Sequence, residues 1–542
     1  MTRLVGARTA SAEVDFTSEA GMRRDTLLVT LCTLVSRVSG FGRVIATAAV
    51  LGSGLLGDVY QTANLIPNLL FELVAGGVLQ AVLVPTFVEA RRQGGRALLS
   101  RAVQASSGVV LAVLGALTAV GMLLSPVLTR LMVASDPSHS VAAEKLDVML
   151  PMVLVFVPQL VCYGLATVVT AALNSRGRFV AAALAPAANN VVVIIACLWF
   201  RSLRHGAVAD LDLTATQMAV IAGGTTLGVL VFALTPALVL RMDGVSWWPR
   251  WDTQHPTVEA MRTKVGWATL SIVGTLVPTA AALVLGNGAP GGVAVFMYAF
   301  AFYVLPHALV AVPMATTLAP RVAERWQEND SSAARRLIES SLSAAVPLLL
   351  LGGAGMVGLA WPLTRAAAFG QTASQGFSPI AHTLIAFGPG LLGYGVSFVM
   401  MRVLFAIGDV RRASSLMILA AVIGVATMVV LSAALPSSDR AAALAMGYGA
   451  SQTVAAVLLS MRSRALLGAP SPRGLLQALL RSALAAVAAA SVMLWLVQRF
   501  HDTRTASAWA VVTSGVAGVA VFAVLTWLFS GRRNWIRLTA GD

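Results

Sequence analysis

The strongest constraint on this chain is the succession of long apolar runs along it. Fourteen of them, at roughly 27–52, 59–88, 104–133, 147–173, 179–200, 217–240, 264–286, 292–318, 338–362, 381–407, 413–435, 441–460, 476–498 and 506–530, are candidates to cross a bilayer. A hydrocarbon layer about 30 Å thick takes about 20 residues of helix. Hydrocarbon offers no water to backbone N–H and C=O groups, so each such run has to be helical. Of 542 residues, 57% are hydrophobic and 11% charged, far below the roughly 25% charged of soluble domains. The expected fold is an all-α polytopic membrane protein of about fourteen transmembrane helices.

The basic residues orient it. With both termini cytoplasmic, the inner segments hold 27 Lys and Arg, the outer segments eight, and three (Arg37, Arg43, Arg402) fall inside spans. That asymmetry follows the positive-inside rule. The formal charge of +15 is scattered in small groups between apolar runs, which argues against a nucleic-acid partner. Residues 1–25 are polar, with no apolar core closed by a small-residue cleavage site, and read as a cytoplasmic tail. Cys32, Cys162 and Cys197 sit in apolar runs without metal-ligand spacing and read as packing residues.

An internal repeat divides the chain. Pro158, Tyr163, Gly164, Leu173 and Gly177 recur 231 residues later as Pro389, Tyr394, Gly395, Leu404 and Gly408. A second echo pairs Pro85 and Glu89 to Arg91 with Pro320, Glu324 and Arg325. An offset of six spans preserves topology, so the repeat is parallel, about an axis along the membrane normal. The expected organisation is two pseudo-symmetric six-helix lobes, 26–244 and 264–466, joined by an interfacial linker at 245–263. That linker carries Trp247, Trp248, Arg250 and Trp251. Two further helices occupy 475–530, and a cytoplasmic tail 531–542.

Within the first run lies Ser36-Arg37-Val38-Ser39-Gly40-Phe41-Gly42-Arg43. A charge at bilayer depth costs between about 2.5 and well over 10 kcal/mol, so it usually faces water or a partner. Gly40 and Gly42 are expected to weaken the helix there, as at the broken helices of transporter sites. The plain alternative is that both arginines snorkel to the surfaces. In the second run Gln61, Asn64, Asn68 and Glu72 fall within an arc of about 80°, a polar face down to mid-membrane depth. There Glu72 is placed to pair with Arg37. The asparagines serve equally as glue between helices.

Pro67 and Pro306 are expected to break helices at matching places. His307, beside Pro306, is either a ligand or proton carrier or a helix–helix hydrogen bond. Arg402 lies near the cytoplasmic end of its span, where snorkelling explains it. Asp58 stands at the outer mouth of span two as a gate or a helix cap. Asn189-Asn190, after Pro186, reads as packing. There is no P-loop, HExxH, His/Cys ligand pair or Ser/His/Asp set, so neither an enzyme nor a cofactor nor a metal is expected.

Ser36–Arg43, Leu65-Ile-Pro-Asn68-Leu-Leu with Gly76-Gly77 and Val84-Pro85, Ala172-Leu-Asn-Ser-Arg-Gly-Arg-Phe179 with Ala185-Pro186, and Leu404-Phe-Ala-Ile-Gly-Asp409 together resemble one family. It is the bacterial lipid II flippases (MurJ, also called MviN), within the superfamily of multidrug and polysaccharide-lipid exporters. The resemblance implies a protein of the cytoplasmic membrane that moves lipid II, the undecaprenyl-pyrophosphate-linked peptidoglycan precursor, from inner to outer leaflet. It implies membrane lipids and cell-wall synthesis proteins as its company. It maps the family's two first-helix arginines onto Arg37 and Arg43 and an acid onto Asp58. The chain departs from the pattern at Val44, where many relatives carry an acid, and at Phe71-Glu72 and Ala301, where basic residues are described. Ser415–Leu431 lacks the acid or amide of a sodium site.

These readings converge on a candidate site. Arg37, Arg43, Asn68 and Glu72 would bind substrate, and Gly40, Gly42, Asp58, Asn64, His307 and Arg402 would gate or support it. A pyrophosphate carries about two charges and calls for guanidinium donors. Three alternatives remain: an exporter of another polyprenyl-linked glycan, a multidrug antiporter needing an acidic cavity, and a membrane scaffold needing no buried arginine.

Overall fold

The computed structural model describes residues 19–75, 78–205, 210–468 and 472–530. The outer parts of the expected tails and the Gly76-Gly77 pair lie outside the described residues. Among those described there is helix and no strand. The first half runs α1 (Glu19–Leu51), α2 (Leu55–Ala75), α3 (Val78–Met132, turned at Gly94 and Gly95), α4 (His139–Phe156) and α5 (Gln159–Asn174). It ends with α6 (Phe179–Leu203), α7 (Ala215–Met218) and α8 (Gly224–Met242). The second half runs α9 (Pro256–Gly286), α10 (Gly292–Gln327), α11 (Ser331–Gly358), α12 (Ala360–Ala367) and α13 (Gly370–Gln375). It continues through α14 (Ser378–Phe387), α15 (Gly390–Ala406), α16 (Val410–Ala434) and α17 (Arg440–Leu467). Two last helices follow, α18 (Pro472–Val497) and α19 (Arg504–Ser530).

Eleven of the described helices are long and apolar enough to cross a membrane, twelve if α14 and α15, bent by 50°, count as one. Two of the fourteen expected spans fall short. One is α2, which carries Asp58, Gln61, Asn64, Asn68 and Glu72; the other is α9, of which Val273–Gly286 is an apolar helix among the residues whose side chains are described. Side chains such as Leu123, Val430, Leu484 and Val516 are exposed, as they would be against lipid.

The two halves pair their helices in the same order. α1 packs on α6 and α6 on α8, as α9 packs on α16 and α16 on α17. α5 lies against α3 and α8, as α15 lies against α11 and α17. α18 and α19 pack together against α11 and α12.

Each residue of the repeat does the same work twice. Proline lacks an N–H and crowds the carbonyl four residues back, and both helices break there, α4 from α5 at Pro158 and α14 from α15 at Pro389. A Cβ on Gly164 would collide with Leu114, and one on Gly395 with Leu349, so these glycines set how closely α5 meets α3 and α15 meets α11. Leu173 and Leu404 are fully buried. Gly177 and Gly408 end their helices with φ of +71° and +89°, the left-handed turn that glycine makes without strain. The next N–H then donates back to the leucine carbonyl, from Arg178 to Leu173 at 3.0 Å and from Asp409 to Leu404 at 2.9 Å.

Three expectations are corrected. α1 runs unbroken through Gly40 and Gly42. α2 and α10 likewise contain Pro67 and Pro306 without interruption. α1 also begins inside the expected tail, at Glu19, because a helix continues past the apolar edge where water can finish its hydrogen bonds. The segment between the halves follows α3: Ser246 N–H donates to Ser100 Oγ and Arg250 N–H to Gln104 O, both at 3.1 Å. Trp248 and Trp251 are exposed. α9 begins at Pro256, within the stretch expected as linker, capped by His255 Nδ1 accepting from Thr257 N–H.

Overpacking a close helix crossing costs about 1–3 kcal/mol. Gly164→Val and Gly395→Val should each lower the thermal midpoint of the purified protein in detergent. Unchanged midpoints would mean that the crossings have slack that this packing does not show.

Candidate functional site

The first four N–H groups of a helix have no partner within it. At the start of α10 the partner comes from the other half of the chain. Asp58 of α2, fully buried, accepts from Gly291 N–H at 2.7 Å through Oδ2, and from Val293 and Ala294 N–H at 3.0 and 2.8 Å through Oδ1. Its negative charge also suits the positive end of the helix dipole. Of the two expected roles for Asp58, the helix cap is what the geometry shows, and the helix capped is not its own.

More bonds join the halves at this end, the one expected to be outer. Tyr298 Oη donates to Gly52 O at 3.0 Å, and Thr372 Oγ1 to Ala48 O at 2.6 Å. Gln375 Oε1 accepts from Ser53 N–H at 2.7 Å, and Asn287 Nδ2 donates to Thr62 Oγ1 at 3.0 Å. Beneath them Lys145, fully buried, donates to Asp136 Oδ2 at 2.8 Å and to Asn287 O at 2.7 Å. By sequence Lys145 is one of the eight basic residues of the outer segments. The available signal was its rarity, since the chain has two lysines against 36 arginines.

The Ser36–Arg43 stretch lies at the seam between the halves. Asn190 of α6 holds one side, its Nδ2 donating to Ser39 Oγ at 3.0 Å and to Ser36 O at 3.4 Å. Gly40 and Gly42 face Asn190 and Ile194 of the same helix, so they serve close packing rather than a break. On the other side Phe41 meets Phe302 of α10 edge to face at 4.9 Å. Arg37 is exposed and Arg43 half-buried. No ion pair joins Arg37 to Glu72 among the described residues.

Between the halves is a cavity of about 720 Å³, within the range of about 300–1,000 Å³ usual for small-molecule sites. The first half contributes Asn68, Phe71 and Glu72 from α2, Tyr163 from α5 and Phe232 from α8. The second contributes Phe300 from α10, Tyr394, Phe398 and Arg402 from α15, and Tyr448 and Gln452 from α17. Of the expected binding residues, Asn68 and Glu72 line this space; Arg37 and Arg43 are not among its lining residues. Glu72 is exposed there, while Asn68 Nδ2 turns back to Asn64 O at 2.9 Å.

Arg402 is corrected from a snorkelling residue to a cavity residue, its guanidinium over the Phe398 ring at 5.3 Å. His307 is buried in an aromatic stack, 3.8 Å from Tyr394 and 5.0 Å from Phe398. Among the described residues its Nδ1 has no hydrogen-bond partner. Sequence reasoning passed over the aromatic lining, although Tyr163 and Tyr394 were in plain view as the repeat's own tyrosines.

The sequence matches the family described as lipid II flippase MurJ over residues 47–515. A probable lipid II flippase MurJ of Rhizobium tropici is 30% identical over 330 residues, 59% of this chain and 60% of that one, less than two thirds of its length. The lipid II flippase MurJ of Burkholderia cenocepacia is 27% identical over 493 residues, 89% of this chain and 91% of that one. Among solved structures, a lipid II flippase MurJ in an inward closed conformation superposes with a TM-score of 0.71 at 17% identity, covering 94% of this chain and 100% of the other. An inward-facing multidrug resistance transporter of the MATE family gives 0.61 at 13% identity, covering 81% and 98%. Both share the fold.

Replacing Asp58 by Ala strands three buried N–H groups, each costing about 1–3 kcal/mol. In a background with the three native cysteines replaced, a cysteine at Ser53 should react faster with a membrane-impermeant thiol reagent once Asp58→Ala is added. An unaltered labelling rate would show that the cap does not hold the halves together.

Proposed function

Because the chain belongs to the lipid II flippase MurJ family, we propose that it carries the polyprenyl-pyrophosphate-linked peptidoglycan precursor across the bacterial cytoplasmic membrane, in which it is a multi-pass protein. The family is one of transporters rather than catalysts. In this reading α2 and α9 are spans too, making fourteen, with both termini cytoplasmic. The lobes are the two six-helix halves, and the matched helix pairing and the doubled roles of the repeat support that division.

The observation that carries the proposal is the cavity between the halves, lined by Asn68, Glu72, Arg402 and Gln452, with the arginine-bearing stretch of α1 packed against α6 and α10 at the seam. A diphosphate leaving water needs charge-assisted donors, and guanidinium groups supply them in fork geometry. Arg37 and Arg43 at the seam receive it while the prenyl chain stays in lipid. Inward opening loads the head group. Outward opening requires the Asp58 cap on α10 and its companion bonds to part, so the outer closure is one of the two states between which the lobes rock. A net charge moved through the field is worth about 2.3 kcal/mol per 100 mV, enough for membrane potential to bias the cycle.

Arg37→Ala and Arg43→Ala should each abolish lipid flipping in reconstituted vesicles while leaving the thermal midpoint near that of the parent protein. Depletion of the protein should make the lipid-linked precursor accumulate on the inner leaflet. Normal flipping by both folded variants would remove the arginines from the mechanism.

A further inference from the structure

A second groove, of about 400 Å³, is built from α11, α15, α17 and α18, and none of its lining residues belongs to the first half. Val346 and Pro347 of α11, Val396 of α15 and Ala456 and Val457 of α17 make it mainly apolar. A smaller pocket shares Leu342, Ser460 and Arg464 with it and adds Arg335 and Glu339, so the groove continues into a charged mouth. That mouth lies at the end away from the Asp58 closure. α10 leaves the closure at Gly292, so α11 begins, near Arg335, at the far end. α17 starts at Arg440, beside Gly292, and reaches Arg464 in its last turn.

Depth and charge narrow the occupant. The groove follows α17 from Arg464 to Thr453, about 16 Å of helix, which is half of a hydrocarbon layer about 30 Å thick. Apolar walls one leaflet deep, with a guanidinium at head-group level, match one acyl chain and its phosphate. Arg335 Nε lies 3.5 Å from Glu339 Oε1, so its charge is already answered. Arg464 is exposed and has no ion pair among the described residues. One net cation at the mouth calls for one phosphate, and basic pockets between helices on the cytoplasmic side suit anionic lipids. A zwitterionic head group brings its own cation to that guanidinium and gains less. A polyprenyl chain is longer than the groove is deep, and its diphosphate would sit away from the α1 seam, which packs on α6 and α10.

We propose that this groove holds a resident anionic phospholipid of the inner leaflet, one acyl chain against α11, α17 and α18 and its single phosphate on Arg464. The lipid is bound and not carried, and the proposal is independent of the flippase reading. Its place gives it a consequence for transport. Gly393 and Thr453 line the groove, while their chain neighbours Tyr394 and Gln452 line the central cavity. A Cβ on Gly393 would lie 2.5 Å from Thr453 Oγ1, so one close helix crossing separates the two spaces. A lipid seated in the groove braces that wall from behind.

The test uses the full-length protein, stripped of lipid in detergent, with the dissociation constant of the first lipid bound measured by native mass spectrometry. Phosphatidylglycerol should bind about fivefold more tightly than phosphatidylcholine of the same chains. Arg464→Gln should erase that preference, and Val457→Trp, which fills the groove, should weaken both lipids about tenfold. Arg464 and Val457 are both exposed, so both variants should keep the parent's thermal midpoint. Cardiolipin, with two phosphates, should gain no more than about twofold over phosphatidylglycerol, the statistical factor alone. A larger gain would overturn the single-phosphate seat. Equal binding of the two phospholipids by the parent, a preference that survives Arg464→Gln, or full binding by Val457→Trp would overturn the site. Undecaprenyl phosphate that displaces phosphatidylglycerol from the parent but not from Val457→Trp would assign the groove to the carried lipid and overturn the proposal.

Discussion

A backbone amide inside a bilayer has nowhere to turn except to its own chain, and the arrangement of this molecule follows from that. Runs of helix satisfy their N–H and C=O groups internally. The exceptions are helix ends and breaks, which are tolerated at depth where protein or a cavity covers them. Pro158 and Pro389 mark such breaks, with a cavity-lining tyrosine one turn beyond each. The start of α10 is the other exception. Its free N–H groups are met by Asp58 across the junction, so the rule that makes helices also ties one half of the chain to the other.

Charge is distributed along the axis in keeping with this. At the end expected to be outer, Asp58, Asp136 and Lys145 are buried or nearly so and are held by specific partners. Glu72 and Arg402 face the cavity without an ion pair among the described residues, where a substrate's polar groups can reach them. At the opposite end Arg178 pairs with Asp243 at 3.2 Å and Arg462 with Asp409 at 2.5 Å, steadying the loops that follow α5 and α15. Such surface and near-surface pairs contribute little individually. The buried outer set is different, because removing one member would strand the others away from water.

The site was legible in part. The polar face of α2 was visible as a 3-4-4 spacing, and two of its members, Asn68 and Glu72, do line the cavity. The expected Arg37–Glu72 contact failed because depth along the membrane fixes only one coordinate of three; α1 sets Ser39 against α6 and Phe41 against α10, and Arg37 is exposed. Arg402 was misread for the same reason, since being near a span's end does not say which way the side chain points. The aromatic lining escaped notice because a tyrosine in an apolar run looks like packing until its neighbours are known.

What the sequence determined by itself was everything that depends on local chemistry or on counting. Apolar length dictated helices, basic loops gave them an expected direction, and a repeat at 231 residues announced two equivalent halves. The left-handed turns at Gly177 and Gly408 belong there too, because glycine's missing Cβ is a local property. The tertiary structure alone decided which faces meet. That α10 is capped from α2, that Lys145 is buried, and that Tyr163 and Tyr394 share one cavity all depend on residues more than a hundred positions apart coming together. No spacing within a single helix encodes such a contact, since it is set by how two lobes pack and not by the turn of either one.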